Sequence, residues 1–185
     1  MLHAVGLAWG VTEVDGIVYA VFDESSVIKT YNADTLSPLG QDIHVEGMKA
    51  PRDIVACRDD RQLYIADSSS VWRVAVDGHA DQEKWLSMTG DKFNVDTLSV
   101  TSQHLLLMSK RDVPRLRQYR LTDGRMVREV SLPAYVKWWY HGVETEHGTI
   151  IVGHLGTAET DEGQYAASVP FRLLLILAIL FHFLT

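Results

Sequence analysis

Residues 60–67 read DRQLYIAD, a polar turn that runs directly into a short apolar segment. The same succession returns as DGIVYAVF at residues 15–22, SQHLLLMS at residues 102–109 and EHGTIIVGH at residues 146–154. The first core-like residues of the four runs lie 45, 42 and 45 residues apart, at Val18, Leu63, Leu105 and Ile150. Four unrelated segments would not keep so regular a period, so the pattern indicates an internal repeat.

Each apolar run is flanked by further short segments of the same kind. One apolar segment precedes it, and after a polar turn a third segment follows, with anchors at Ile28, Trp72 and Leu116 in the first three units. A more charged fourth segment closes these units as DIHVEG, EKWLSM or VREVSL. Segments of about 4–8 residues bounded by Gly, Asp, Asn and Ser are typical of strands. Each complete unit is therefore predicted to contain four antiparallel strands.

Four antiparallel strands repeated about every 40–45 residues are typical of a β-propeller blade. One blade cannot bury both of its faces alone, and radial packing against its neighbours covers the second face. We therefore predict an all-β fold, an incomplete β-propeller of about three and a half four-stranded blades followed by a C-terminal hydrophobic helix or tail. The predicted divisions are a partial propeller at 1–158 (blades at about 4–50, 51–93 and 94–139, and a partial blade at 140–158), a polar linker at 159–168 and a hydrophobic tail at 169–185.

The second unit resembles the NHL-type repeat. In that family a Pro-led inner strand precedes a LYVAD-like strand and a turn into an I/V-x-R/K strand. Here the corresponding stretches are PRDIV from Pro51, LYIAD from Leu63 and VWRV from Val71. The first unit matches moderately, while the third and fourth keep only the spacing. The resemblance implies a six-bladed type of propeller, and it carries no function because that superfamily contains both binding proteins and enzymes.

The number of repeats is smaller than a closed ring of this type requires. Propellers close with about four to eight blades, whereas residues 4–155 supply three full units and two strands of a fourth. We expect a truncated or divergent propeller, with the alternative that a second copy or a protein partner completes the ring. An isolated monomer would expose two blade faces.

The composition excludes several classes of protein. The 185 residues include 17 Lys and Arg against 24 Asp and Glu, for a formal net charge of −7. A chain-wide nucleic-acid binder would normally be basic. The one cysteine, Cys57, excludes an internal disulfide and a cysteine-based zinc cluster.

The ends of the inner strands carry the first candidate site. The repeat alignment places Asp53, Asp96 and His141 at equivalent positions there, with Trp9 in the first unit. Two carboxylates and an imidazole around a central channel could hold a divalent cation such as Ca²⁺, as in calcium-dependent propeller hydrolases and lyases. The alternative, which we favour, is that these side chains cap strand ends or hold water. No other cofactor is predicted.

A basic strand carries the second candidate site. Seven basic residues lie between Lys110 and Arg128, and the candidates for an anion or nucleic-acid patch are Arg115, Arg117, Tyr119 and Arg120. Some NHL propellers bind RNA on a basic surface, so the resemblance implies this function as an alternative. A solvated blade edge is the simpler interpretation because the chain as a whole is acidic, and we do not expect a nucleic-acid partner.

The C-terminal tail reads LLLILAILFHFL from Leu173 to Leu184. These 12 residues would span about 18 Å as a helix, less than the roughly 30 Å of a bilayer core. The tail is interpreted as a short membrane anchor, as a GPI-attachment signal, or as a buried helix. The first two predict membrane association and the third a cytoplasmic protein. The apolar positions that would form the membrane segment include Leu173, Leu177, Leu180 and Phe183.

We therefore expect a binding scaffold without catalytic activity. It would present loops to a protein or another ligand, and the tail would hold it at a membrane. The alternatives are a fragment of a calcium-dependent propeller hydrolase or lyase, and an RNA-binding NHL-like module. The sequence has neither a Walker loop nor a Rossmann glycine pattern.

Overall fold

The computed structural model describes residues 7–77, 82–88, 93–109, 115–132, 139–145, 148–154 and 175–179. Within these ranges the chain forms 15 strands in four antiparallel sheets, and no helix. The prediction of an all-β fold with repeated four-stranded units is confirmed.

The strands of each sheet are hydrogen-bonded in chain order. The first sheet contains β1 (Ala8–Val14), β2 (Ile17–Phe22), β3 (Val27–Asn32) and β4 (Ile43–His44). The second contains β5 (Pro51–Cys57), β6 (Gln62–Asp67), β7 (Ser70–Ala75) and β8 (Glu83–Ser87). The third contains β9 (Thr97–Val100), β10 (His104–Ser109), β11 (Arg115–Arg120) and β12 (Met126–Ser131). The fourth contains β13 (Trp139–Glu144), β14 (Ile150–His154) and β15 (Leu175–Ile179).

The hairpin between β1 and β2 turns through two residues, Asp15 and Gly16. Both residues have positive φ angles, of 54° and 77°. A two-residue turn of this kind matches the right-handed twist of the strands it joins, and an Asp-Gly pair is one of its preferred sequences. The local sequence therefore sets the register of the first hairpin.

Three apolar clusters lie between consecutive sheets. The first cluster joins the first and second sheets and includes Val14, Tyr19, Val21, Ile54, Leu63 and Ile65. The second joins the second and third sheets and includes Tyr64, Ala66, Leu98, Leu105 and Leu107. The third joins the third and fourth sheets and includes Leu106, Met108, Leu116, Ile150 and Val152. Side chains on a strand alternate between its two faces. The middle strands β6 and β10 are apolar on both faces because a neighbouring sheet covers each face.

The first strands of the four sheets lie side by side. β1 contacts β5, β5 contacts β9, and β9 contacts β13. The charged fourth strands β8 and β12 are mostly exposed or half-buried. Successive sheets are thus arranged with their first strands innermost, which is the arrangement of propeller blades.

The tail contributes a strand where one of the sequence interpretations had a helix. β15 pairs antiparallel with β14, from Ile150 opposite Ile179 to His154 opposite Leu175. A short apolar run fits a strand as well as a helix, and the free edge of β14 offers N–H and C=O groups that a further strand can pair. Of the four tail positions singled out, Leu177 lies in β15, and the other three are outside the described residues. The described residues contain no helix that is long and apolar enough to cross a membrane.

Candidate binding site at the ends of the inner strands

The pairing of the first strand of each sheet with the second strand defines which residues are equivalent near the start of the first strands. The four equivalent residues lie opposite Val21, Ala66, Met108 and Gly153, and they are Gly10, Asp53, Thr97 and His141. Asp53 and His141 are thus equivalent, as the alignment predicted. In the third sheet the equivalent residue is Thr97 rather than the predicted Asp96, and in the first sheet it is Gly10 rather than Trp9. The turn after the inner strand varies from two residues in the first sheet to five in the fourth, so counting back along the chain misplaces these positions.

The carboxylate of Asp53 joins the second sheet to the third. Its Oδ1 accepts a hydrogen bond from the N–H of Ile54 at 2.9 Å. Its Oδ2 accepts one from the N–H of Leu98, in β9, at 2.8 Å. Both oxygens therefore hold backbone donors, one of them on the neighbouring sheet. This is the strand-capping role that the sequence analysis gave as the alternative to cation binding.

Asp96 and His141 have different surroundings from Asp53. Asp96 is half-buried, and its N–H donates to the carbonyl of Met108 at 2.9 Å. His141 is exposed on β13. In the part of the chain that the structure describes, no three His, Cys, Asp or Glu side chains are grouped so as to hold one metal ion.

An exposed tryptophan with an arginine stacked on it lies at the same end. Trp9 is 42% exposed, and the guanidinium carbon of Arg52 is 5.1 Å from the centroid of its ring. Trp9 lies at the register shift of β1, and Arg52 lies at the corresponding shift of β5. Such irregularities turn side chains away from the regular alternation of a strand. We call Leu7, Trp9 and Arg52 the Trp9 rim.

Gly10 brings the two halves of the Trp9 rim together. A Cβ atom at this residue would lie 2.6 Å from the backbone nitrogen of Ile54 and 2.8 Å from the Cα of Asp53. Only a glycine lets β1 approach β5 this closely. The repeat alignment includes Trp9 but not Arg52, although both residues directly precede the equivalent pair Gly10 and Asp53.

Asp67, the last residue of the LYIAD segment, has a structural role that the sequence pattern does not indicate. It is buried, and its Oδ1 accepts a hydrogen bond from the N–H of Ala50 at 2.8 Å. Its Oδ2 accepts from the indole Nε1 of Trp72 at 3.0 Å and from the N–H of Lys49 at 3.3 Å. One carboxylate thus fixes the connection that leads from the first sheet into the second.

The structure brings three residues of the predicted basic patch together, on a face that is largely covered. Arg117 and Tyr119 are buried. The guanidinium carbon of Arg117 is 4.3 Å from the ring centroid of Phe93, and its Nε donates to Glu129 at 2.5 Å. Arg115 lies on the same face, with its Nη1 3.7 Å from the same carboxylate.

Arg120 is separate from that group. It is exposed and donates to Asp123 at 2.9 Å. The four predicted residues therefore do not form one solvent-facing surface.

Cys57 is buried beside a cleft of about 200 Å³ between the second and third sheets. Its Sγ lies 3.8 Å from the carbonyl oxygen of Thr101. Burial raises the pKa of the thiol. The thiolate is the reactive form of cysteine, so the raised pKa and the burial both make this group a poor nucleophile.

Cys57 is expected to react slowly in the folded chain. At pH 7.5 we expect its reaction with a thiol-specific disulfide reagent to be at least about ten-fold slower than in the chain unfolded in urea, because reaction requires opening of the sheet interface. Stopped-flow absorbance measures both rates. Equal rates in the two states would contradict the burial of this thiol.

No protein-family model and no curated protein matches this sequence. Among solved structures, the chain is similar to hydrazine synthase of Kuenenia stuttgartiensis, with a TM-score of 0.64 and 15% identity over 82% of this chain and 45% of that one. It is equally similar to a chain of the nidogen/laminin complex, with a TM-score of 0.64 and 15% identity over 82% of this chain and 58% of that one. The computationally designed Ika4 protein is matched with a TM-score of 0.55 and 13% identity, over 84% of this chain and 96% of that one.

This chain spans about half the length of the first two of these structures, at 45% and 58%. Identities this low show the fold alone. Together with the four antiparallel sheets and their adjacent inner strands, the similarities fit a β-propeller. The chain is an incomplete propeller.

Proposed function

We propose that this chain is a protein-binding scaffold and that the Trp9 rim is its recognition surface. The observation that carries the proposal is the exposed Trp9 ring with the Arg52 guanidinium 5.1 Å from its centroid. Trp and Arg are enriched among the residues that contribute most to protein–protein binding energy. Leu7, two residues before Trp9, is also exposed, at 65%.

The rigidity of the rim supports the same proposal. Gly10 packs on the backbone of β5, and the Asp53 carboxylate accepts from Ile54 and Leu98, so the residues next to Trp9 and Arg52 are fixed. A surface that is already ordered loses less conformational entropy when a partner binds. The similarity to a chain of a protein–protein complex, that of nidogen and laminin, also favours a protein partner.

The chemistry of the rim indicates what a partner segment would present. The indole ring offers an apolar face, and the arginine offers a planar set of donors suited to a carboxylate. A partner segment that combines an apolar side chain with an Asp or Glu therefore fits both groups. Added salt is expected to weaken only the part of the binding free energy that comes from the pairing of Arg52 with a partner carboxylate.

A site-specific photo-crosslink tests the proposal. With benzoylphenylalanine in place of Trp9, we expect a discrete covalent adduct with a protein in an extract of the source cells. Adding Arg52→Ala should reduce the yield at least about ten-fold, since a hot-spot residue contributes more than about 1.4 kcal/mol.

The control places the same probe at Leu36, which is 66% exposed on a turn distant in sequence. Adducts of the same mass and yield from both positions, or none from Trp9, would contradict the proposal.

The assignment to the NHL type is part of this proposal. The hydrogen bonds of Asp67 give a physical role to the last residue of the LYIAD segment, since they hold the entry to the second sheet. Among the described residues, no specific contact favours the calcium-dependent enzyme or the RNA-binding module. Asp53 holds two backbone donors, and Arg117 and Tyr119 are buried.

Membrane attachment through residues 169–185 is a separate proposal, and it competes with the pairing of β15. A strand bound to β14 cannot lie in a bilayer at the same time. If β15 completes the fourth sheet, deleting residues 169–185 is expected to lower the free energy of unfolding by about 2 kcal/mol, because β14 loses a five-residue partner.

Urea unfolding and membrane fractionation of the tagged chain, with and without this segment, separate the two proposals. Movement from membranes to the soluble fraction with unchanged stability would support the anchor. Reduced stability with unchanged fractionation would support the strand.

A further inference from the structure

We propose that His104, Gln118 and Glu144 form a binding site for one Zn²⁺ ion between the third and fourth sheets. His104 begins β10 and Gln118 lies in β11, both in the third sheet, whereas Glu144 ends β13 in the fourth. The inference goes beyond the Trp9 rim. Trp9 and Arg52 lie near the start of the first strands, and Glu144 lies at the end of one.

The position that Glu144 occupies is apolar in the two preceding sheets. The equivalent residues are Ala56 in the second sheet and Val100 in the third, because these residues and Glu144 lie opposite the same position of the second strand: Leu63, Leu105 and Ile150. Ala56 packs against the first apolar cluster and Val100 against the second. At the junction of the third and fourth sheets, a carboxylate therefore replaces an apolar side chain. Departures of this kind from a repeated pattern are expected at functional sites.

The Glu144 carboxylate is buried, and one of its oxygens lacks a hydrogen-bond partner. Its side chain is 5% exposed. Oε1 accepts a hydrogen bond from Nε2 of Gln118 at 2.6 Å and lies 3.4 Å from Nδ1 of His104. Oε2 is buried and has no hydrogen-bond partner among the described residues. A buried carboxylate is costly unless its charge is paired, and an unsatisfied buried oxygen is a position where an ion or a water is expected.

The three polar groups have nearly the spacing of ligands around one metal ion. Nε2 of Gln118 also lies 3.1 Å from Nδ1 of His104, so the three atoms form a triangle with sides of 2.6, 3.1 and 3.4 Å. Two atoms that each bind a tetrahedral Zn²⁺ at about 2.0–2.1 Å are about 3.3 Å apart. The two ends of an amide have the same shape, so a 180° turn of the Gln118 amide puts its carbonyl oxygen, a metal ligand, in place of Nε2. The shortest side of the triangle is the hydrogen bond that this turn would replace.

The ligand types favour Zn²⁺ over Ca²⁺ or Mg²⁺. Imidazole nitrogen is a preferred ligand of Zn²⁺, whereas Ca²⁺ and Mg²⁺ take oxygen ligands. The carboxylate of Glu144 supplies a negative charge, and Oε2 offers the ion a second oxygen. One member of the set is a neutral amide rather than a third His, Cys, Asp or Glu, so we expect a water molecule as a further ligand and micromolar affinity. The side chain of His104 is 26% exposed, which gives the ion access from solvent.

An ion at this site would connect two sheets. The Asp53 carboxylate makes the corresponding connection between the second and third sheets when it accepts from the N–H of Leu98. A ligand that binds only the folded chain stabilises it by mass action. Zn²⁺ is therefore expected to raise the urea midpoint of the full chain.

Calorimetric titration of the full chain with Zn²⁺ near neutral pH tests this inference. We expect the affinity of this site to fall at least about ten-fold in Glu144→Gln and in His104→Ala, because even residues that only support a ligand contribute about 10–100-fold. The matched control His141→Ala removes an exposed imidazole from the same strand as Glu144 and should bind as the wild type does. Zn²⁺ should raise the urea midpoint of the wild type and of this control, and an excess of Ca²⁺ should not displace it.

Nuclear magnetic resonance of the wild-type chain locates the ion without any substitution. Zn²⁺ should shift the imidazole C–H signals of His104 and leave those of His141 unchanged. A wild-type chain that binds no Zn²⁺, a Glu144→Gln variant that binds as tightly as the wild type, or a shift of the His141 signals in place of those of His104 would overturn the proposal. Trp9→Ala should retain the site, so failure here is distinguishable from failure of the Trp9 rim.

Discussion

Replacing Gly10 by alanine is expected to lower the free energy of unfolding by about 3 kcal/mol, the upper part of the range for overpacked interiors. The added Cβ would lie 2.6 Å from the nitrogen of Ile54 and 2.8 Å from the Cα of Asp53. Both are backbone atoms of β5, so no side-chain rotation relieves the contact. The first sheet must shift away from the second, which also separates Trp9 from Arg52. Equilibrium unfolding in urea measures the change.

Two other glycines serve as controls for Gly10→Ala. At Gly153 the nearest atom to an added Cβ is the carbonyl oxygen of His141, at 3.7 Å, and we expect a change within about 0.5 kcal/mol. At Gly142 the obstacle is the Sδ of Met108, a flexible side chain, so an intermediate loss is expected. Equal stability of Gly10→Ala and Gly153→Ala would show that β1 does not lie directly on β5.

Asp67→Asn is expected to cost about 3 kcal/mol. The carboxylate accepts hydrogen bonds from two backbone N–H groups and from the indole of Trp72. An amide keeps one acceptor oxygen and turns an N–H₂ group toward a donor, so at least one buried donor loses its partner. An unpaired buried group costs about 1–3 kcal/mol, and the loss of the charge-assisted bonds adds to this.

The matched control for Asp67→Asn is Asp123→Asn. Asp123 is exposed in a turn, where hydrogen bonding from the N–H of Arg125, together with the nearby Arg120 charge, lowers its pKa. Because this side chain lies at the surface, we expect that substitution to leave the urea midpoint close to the wild-type value. Urea midpoints at pH 7 compare the two variants. A midpoint for Asp67→Asn as high as that of Asp123→Asn would contradict the anchoring role.

The repeat pattern predicted most of the fold because short apolar runs at a fixed spacing of 40–45 residues are characteristic of few architectures. The 45-residue step from Val18 to Leu63 is matched by equivalent positions in the sheets. The tail could not be assigned in the same way, since an apolar run such as Leu175–Ile179 fits either a helix or a strand until a neighbouring edge is known.

The candidate site was harder to predict than the sheets. Trp9 and Arg52 meet because both inner strands have a register shift, and such shifts leave no periodic trace in the sequence. A charged residue usually lies at the surface, which made Arg117 a candidate for an exposed patch. Its charge is instead paired with Glu129 and stacked on Phe93, contacts between residues that are separated along the chain.

Methyl nuclear Overhauser effects test the sheet arrangement most directly, because they report which sheets touch. We predict cross-peaks between the first and second sheets, for example between the methyls of Val21 and Ile65. We also predict them between the second and third sheets, for example between the methyls of Ala66 and Leu107, and between the third and fourth sheets. Successive sheets packed in chain order give no cross-peaks between the first and third sheets. Cross-peaks that join those two sheets, or that are missing between consecutive sheets, would contradict the incomplete propeller.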